Sequence, residues 1–351
     1  MAIRTLRLGG FRNLADIELE FHPDANYLFG PNAAGKTNVL EAIHYLAIGR
    51  SFRRARDRDI LGFDREVLSV TGRDDQGQEA EIRADGVSKR VTLGGREVER
   101  LSDFLGWLPV VVLLLDDIQL VRGAPSVRRS YLDLAIAKAD REYIGVAAGY
   151  RRALVQRNRA LQQNAPDDAL RPWGEALVRA GVALVEFRHR YVDTMLEAAG
   201  EYYGQLSGRP GKFSHRVSVA AGTGAAEVFR RKLQETRARE REVGHSLVGP
   251  HRDDIKVESG ERELRRFGSV GEQRLAAVAL RLAEADLLLK VTGRKPVFLL
   301  DEVASELDDE RGPRLLGLVA ERGQVVYAAA RRFDAAGKEF RVEAGQVRQA
   351  G

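Results

Sequence analysis

No cysteine occurs anywhere in the 351 residues. Disulfides, thiol nucleophiles and zinc–thiolate sites are therefore excluded at the outset. A chain built without cysteine fits a reducing compartment, and the cytoplasm is the expected location. Long apolar runs are missing too: the longest covers residues 108–115, whereas a membrane-spanning helix needs about 20 apolar residues. That run reads as a buried strand, and no membrane is expected as a partner. Met1, Ala2, Ile3 and Arg4 pass directly into an alternating pattern without the basic, apolar and small-residue succession of a secretory leader, so no export is expected. Lysine is scarce as well, supplying only nine of the 56 basic residues. The remainder are arginines, whose planar fork suits bidentate phosphate recognition, and the net charge is +5.

What is present describes a folded protein. The apolar share of 44% and charged share of 30% are those of ordinary globular chains. The length allows two domains, or one large domain with an insertion. Residues 3–8 and 17–21 alternate as strands do, and 27–29 form a third strand ending at Gly30. Beyond Lys36, the spacing of Val39, Leu40, Ile43 and Leu46 marks one face of a helix. Strand-like segments 67–71, 79–84 and 89–93, separated by turn residues, predict an antiparallel meander. Helical periodicity fills 126–205, with turn-forming residues interrupting it at 164–172. A strand at 212–220 and a helix at 225–241 follow, and alternation of strand and helix then resumes.

Gly30, Pro31, Asn32, Ala33, Ala34, Gly35, Lys36 and Thr37 form a Gly-x-x-x-x-Gly-Lys-Thr loop, with the apolar strand before it and the helix after it that this motif requires. Backbone N–H groups close around phosphate oxygens, and the helix N-terminus adds its positive dipole end. Lys36 reaches the β- and γ-phosphates and Thr37 offers a hydroxyl to Mg²⁺. ATP with Mg²⁺ is the expected cofactor pair. A second apolar strand ends at Asp301 and Glu302. Asp301 there serves the metal, and Glu302 polarises a water against the γ-phosphate. Lys36 and Glu302 are the expected catalytic residues.

Ser269, Gly271, Glu272 and Gln273 open a further helix, and Ser269 with Glu272 also fits a simple capping box. In this order and spacing the segment resembles the signature motif of ABC-type ATPases, which implies contact with the γ-phosphate held by a second copy of the chain. Ser305 and Asp308 resemble the accompanying D-loop. The opening Gly10, Phe11, Arg12, Asn13, Leu14 resembles the start shared by chromosome-maintenance ATPases of the SMC, Rad-type repair and RecF kind, placing Arg12 and Asn13 with the nucleotide. Gly49 to Arg53, Arg128 to Asp133 and Gly249 to Asp254 narrow the resemblance to the RecF family of bacterial recombination mediators, from the first strand to about residue 330.

That resemblance implies an α/β fold: a P-loop ABC-type ATPase head, SMC/RecF-like, in residues 1–125 and 240–351, with an inserted, mostly helical lobe at 126–239. It also implies slow ATP hydrolysis used as a switch, ATP-dependent homodimerisation, and binding to gapped or junction DNA. Partnership with RecR and RecO in loading RecA, in recombinational repair and replication-fork maintenance, belongs to the same expectation. The chain departs from the family pattern at Ala33 and Ala34, where a further glycine is usual. Alanine keeps its N–H, and binding is expected to survive where the φ angles are negative. No threonine follows in 327–330, which favours slow hydrolysis.

Two arginine clusters are candidate DNA surfaces. Arg50, Arg53, Arg54, Arg56 and Arg58 are opposed only by Asp57, and 122–160 holds eight arginines and one lysine against three acids, among them Arg128, Arg129, Arg151 and Arg152. Contacts of this kind go to phosphates and are salt-dependent and indifferent to sequence. His251, Arg252, Asp253 and Asp254 read as a hydrogen-bonded turn rather than a metal centre. Two other function classes stand beside the DNA-binding switch: an ABC transporter motor subunit, and a nucleotide-dependent scaffold without DNA binding.

Overall fold

The computed structural model describes residues 1–332 and 336–350. The chain forms two compact units, Met1–Asp117 with Glu284–Gly351, and Ile118–Ala283. The division falls at 117/118 and 283/284, whereas the sequence places the insertion at 126–239. The helix Val270–Thr292 runs through the second of these divisions.

The first unit contains two six-stranded sheets. In one, Lys338–Glu343, Ala25–Phe29, Gln324–Ala329, Val297–Asp301 and Val110–Leu114 lie side by side in parallel, with Gln346–Gln349 added antiparallel at the edge. The three strands Val110–Leu114, Val297–Asp301 and Gln324–Ala329 are nearly continuous apolar runs, as a sheet covered on both faces requires. Register brings Phe29, Ala329, Asp301 and Leu114 to a common end. Ligand-binding loops of parallel sheets gather at such carboxyl ends. The other sheet is antiparallel throughout and contains the predicted meander as Leu68–Asp74, Glu79–Ala84 and Lys89–Leu93.

Between the sheets lies the helix Lys36–Ile48, which packs on strands of both and is buried continuously from Val39 onward. One acidic side chain is carried inside with it. Glu41 is fully buried, and its carboxylate accepts Arg12 Nε at 3.0 Å and Arg12 Nη2 at 2.8 Å. Ser51 Oγ donates to the same carboxylate, as does Arg53 Nη1 at 3.4 Å. A buried amide ties the sheets together: Gln324 Oε1 accepts the Ile3 N–H at 2.8 Å, while its Nε2 donates to the carbonyls of Ile3 and His22.

The second unit is mostly helical, with Pro125–Ala139, Glu142–Gln162, Asp167–Ser207 and Ala225–Val243 as its longer helices. The sequence places a break across 164–172, but the turn is shorter. The helix begins at Asp167 and continues through Pro172, its sixth residue, where the missing N–H costs a single bond close to the helix start. Strands Gly211–Arg216, Asp254–Ser259 and Arg262–Glu263 make a small antiparallel sheet. The segment from Ser246 to Asp254 is held by buried polar groups. Arg188 donates to Asp133, to Asp253 and to the Pro250 carbonyl. His251 Nε2 lies 2.9 Å from the Ser246 carbonyl, which only accepts, so Nε2 carries the proton and Nδ1 accepts from Tyr150 Oη at 2.6 Å. Burial lowers the His251 pKa to about 4 and raises that of Asp253 to about 6.

Both units generate a stability test. Glu41→Ala strands two guanidinium groups that share one buried carboxylate, and loss of one side of a buried ion pair costs about 3 kcal/mol. Chemical denaturation is expected to show that loss; an unchanged midpoint would mean that both arginines find water instead. In the second unit, the depressed His251 pKa contributes stability that is present above pH 6.5 and lost as pH falls toward about 4. Asp253, raised to about 6, acts in the opposite sense over the same window. His251→Gln keeps a donor and an acceptor but does not titrate, so its unfolding free energy is expected to fall less than that of the parent between pH 6.5 and 4.

Candidate nucleotide site

The carboxyl end of the parallel sheet opens into a cavity of about 760 Å³. Its wall includes Asn32, Ala33 and Gly35 to Asn38 from the loop, Asp301 and Glu302 from the opposite strand, and Phe52, Arg53 and Leu114 to Asp116. The helix Lys36–Ile48 starts from Gly35 with no side-chain cap. Its first N–H groups are thus left to an anion, the usual recourse where no side chain intervenes.

Lys36 is 5% exposed, and its Nζ donates to the carbonyls of Gly30 at 2.8 Å and Pro31 at 3.0 Å. The ammonium is thereby held at one point in the loop, 3.7 Å from Glu302 Oε1. Thr37 Oγ1 donates to Asp301 Oδ1 at 3.0 Å. Burial, reinforced by the neighbouring Glu302 charge, raises the Asp301 pKa against the lowering effect of the Thr37 hydrogen bond. No group of three or more histidines or acids gathers as a metal cage among the described residues. A hydroxyl and one carboxylate side by side fit Mg²⁺, a hard ion that keeps several waters and shares phosphate oxygens.

Two non-glycine residues at this site have left-handed backbone. Ala33 has φ +62°, outside the negative range under which the loop's alanines are expected to leave binding intact, and Glu302 has φ +57°. Such conformations cost on the order of 1 kcal/mol each and persist only where neighbours impose them. Glu302 is fixed by its N–H on the Ala328 carbonyl and by Ser305 Oγ on its own carbonyl. Asp308 accepts from both the Arg311 N–H at 2.9 Å and Arg311 Nη1 at 3.0 Å, just ahead of the helix Arg311–Arg322. Arg12 is occupied by Glu41, and Asn13 joins the loop by donating to the Ala33 carbonyl at 3.4 Å and accepting from Asn38.

In the second unit, Ser269 and Gly271 are exposed at the start of their helix. The capping box is real: Glu272 accepts the Ser269 N–H at 2.8 Å, and Ser269 Oγ accepts the Glu272 N–H at 3.2 Å. That bond, helped by Arg262 and Arg209, lowers the Glu272 pKa. Gln273 turns inward, buried, between Arg122 and the Leu264 carbonyl.

The arginines expected on DNA separate by environment. Arg128 is 2% exposed, with Asp254 on two of its nitrogens and the Gly123 carbonyl on the third, so it is not available to a phosphate. Arg129 is half-buried on the Asp253 carbonyl. Arg53 lines the nucleotide cavity. Arg54, Arg56, Arg151 and Arg152 are exposed. Sequence reasoning missed Phe52, Asp116 and Glu41; an acid within the otherwise apolar run from Val39 to Ile43 was the available signal for the last.

A family model for the RecF/RecN/SMC N terminal domain matches residues 2–339. The DNA replication and repair protein RecF of Symbiobacterium thermophilum is 37% identical over 99% of this chain and 98% of its own length. The protein of the same name from Gloeobacter violaceus is 36% identical over 93% and 91%. A solved structure of the recombination mediator protein RecF with ATP, in the RecFOR pathway, matches with a TM-score of 0.91 at 29% identity, covering 100% of this chain and 98% of that one. An Smc head bound to the C-terminal winged-helix domain of ScpA reaches a TM-score of 0.58 at 17% identity over 100% and 97% of the two chains, a likeness of fold. A phosphate loop facing a carboxylate strand and matches along nearly the whole length lead to one conclusion: the chain belongs to the RecF family of DNA replication and repair proteins, built on an SMC-type ATPase head.

Proposed function

We propose that the chain is an ATP-switched DNA-binding protein in which two copies close on two ATP molecules and hydrolysis releases the DNA. The observation that carries this reading is the Thr37–Asp301 contact, which sets a metal-binding hydroxyl and carboxylate beside a loop whose lysine is held by its own carbonyls. Lys36 neutralises the β- and γ-phosphates, Thr37 and Asp301 hold Mg²⁺, and Glu302 orients the attacking water. Arg53, on the cavity wall, adds a second cation. Ser269 and Gly271 of one copy complete the site of the other with a helix N-terminus, while Glu272 and Gln273 shape that helix start from within. DNA phosphates are taken by exposed arginines, Arg54, Arg56, Arg151 and Arg152, at gaps or junctions. The family name and the RecFOR setting of the solved RecF support cooperation with RecO and RecR in loading RecA.

Sedimentation tests the switch. Lys36→Ala is expected to abolish ATP binding and nucleotide-dependent dimerisation, and Glu302→Gln to prolong the ATP-bound dimer. A parent protein that stays monomeric at every nucleotide and protein concentration would overturn the sandwich. DNA binding is tested across a salt series with and without ATP. Affinity is expected to fall steeply with salt, and removal of Arg151 or Arg152 to reduce the log–log slope by about 1 each. Arg128→Ala is expected to lower stability without that signature. Salt-insensitive or absent DNA binding would return the scaffold and transporter readings.

A further inference from the structure

A phosphate-binding loop points its N–H groups inward, and the carbonyls this turns outward need donors of their own. In this loop the carbonyls of Gly30 and Pro31 are taken by Lys36, and that of Ala33 by Asn13. The Ala34 carbonyl is taken from far along the chain: the Gly345 N–H donates to it at 2.9 Å. Gly345 lies in the two-residue turn between Lys338–Glu343 and Gln346–Gln349. Ala344 and Gly345 have φ +46° and +80°, the paired positive angles of a type I′ hairpin.

The approach is close on both sides. The Gly345 carbonyl accepts the Ala15 N–H at 3.0 Å, and a Cβ at position 345 would lie 2.0 Å from the Asn13 carbonyl oxygen. At the other end of the loop, a Cβ on Gly30 would lie 2.0 Å from the Val342 carbonyl oxygen. The C-terminal hairpin therefore meets the phosphate loop at its first residue and again at Ala34. The left-handed Ala33 sits between these two points, next to the carbonyl that Gly345 holds. The turn also lies beyond residue 339, where the family match ends.

We propose that Gly345 is a positioning residue for the nucleotide: the turn of the C-terminal hairpin clamps the outward face of the phosphate loop and so keeps its N–H groups aimed at the phosphates. The inference rests on the loop's being an ATP site. Gly345 touches no phosphate and acts through Ala34.

Gly345→Ala combines a backbone angle that alanine resists with a contact that backbone cannot yield cheaply. ATP affinity, measured with a fluorescent analogue at a temperature where the variant is folded by circular dichroism, is expected to fall about tenfold or more. Ala344→Gly, in the same turn, relieves a strained angle without touching the clamp and is expected to bind as the parent does. A folded Gly345→Ala protein with parental affinity and only a lowered Tm would make the role structural and overturn the proposal. Where Gly345→Ala does not fold, hydrogen exchange on the parent decides: ATP is expected to slow exchange of the Gly345 amide, and an unchanged rate would overturn the clamp. A parent that binds no ATP would instead defeat the reading of the loop itself.

Discussion

One buried carboxylate holds together much of what surrounds the nucleotide cavity. Glu41 sits on the helix that begins in the phosphate loop, and it draws in Arg12 from the turn after the first strand, and Ser51 and Arg53 from the segment after the helix. A charge in such a place is tolerable only when it is fully paired. The pairing is therefore also a geometric constraint: three separate backbone segments must converge for the acid to be accommodated. Because Arg53 both lines the cavity and serves Glu41, the electrostatics of the site and the packing beneath it cannot be varied independently.

The parts of the site legible in the sequence are those whose chemistry is contiguous. The phosphate loop, its helix and the Asp301–Glu302 strand each declare themselves within ten residues, and the meander strands Glu79–Ala84 and Lys89–Leu93 have the bounds that their alternation predicts. What escaped reading depends on separation along the chain. Gly345 meets Ala34 from the far end of the chain, and no local pattern marks a glycine for such a contact. The sequence leaves the φ of Ala33 open, and its left-handed value is a property of the folded loop that no local pattern announces. Pro172 misled through a rule applied too strictly, because proline near a helix start removes little.

Arginine abundance proved a poor guide to role. Residues that look alike in a composition count divide into a buried strut at Arg128, a cavity cation at Arg53 and solvated side chains at Arg151 and Arg152. Burial and partners decide among them, and both are tertiary properties. The same holds for the serine, glycine and glutamate that open the helix Val270–Thr292. Glu272 is spent on the capping box, while Gly271 beside it stays exposed.

The Thr37–Asp301 contact has a thermodynamic side. Burial makes the Asp301 carboxyl cling to its proton more than an ordinary aspartate does. A divalent ion needs the same oxygen unprotonated. Under the proposed reading, Mg²⁺ at this carboxylate would compete with the proton that burial favours there, and would bind less well as pH falls.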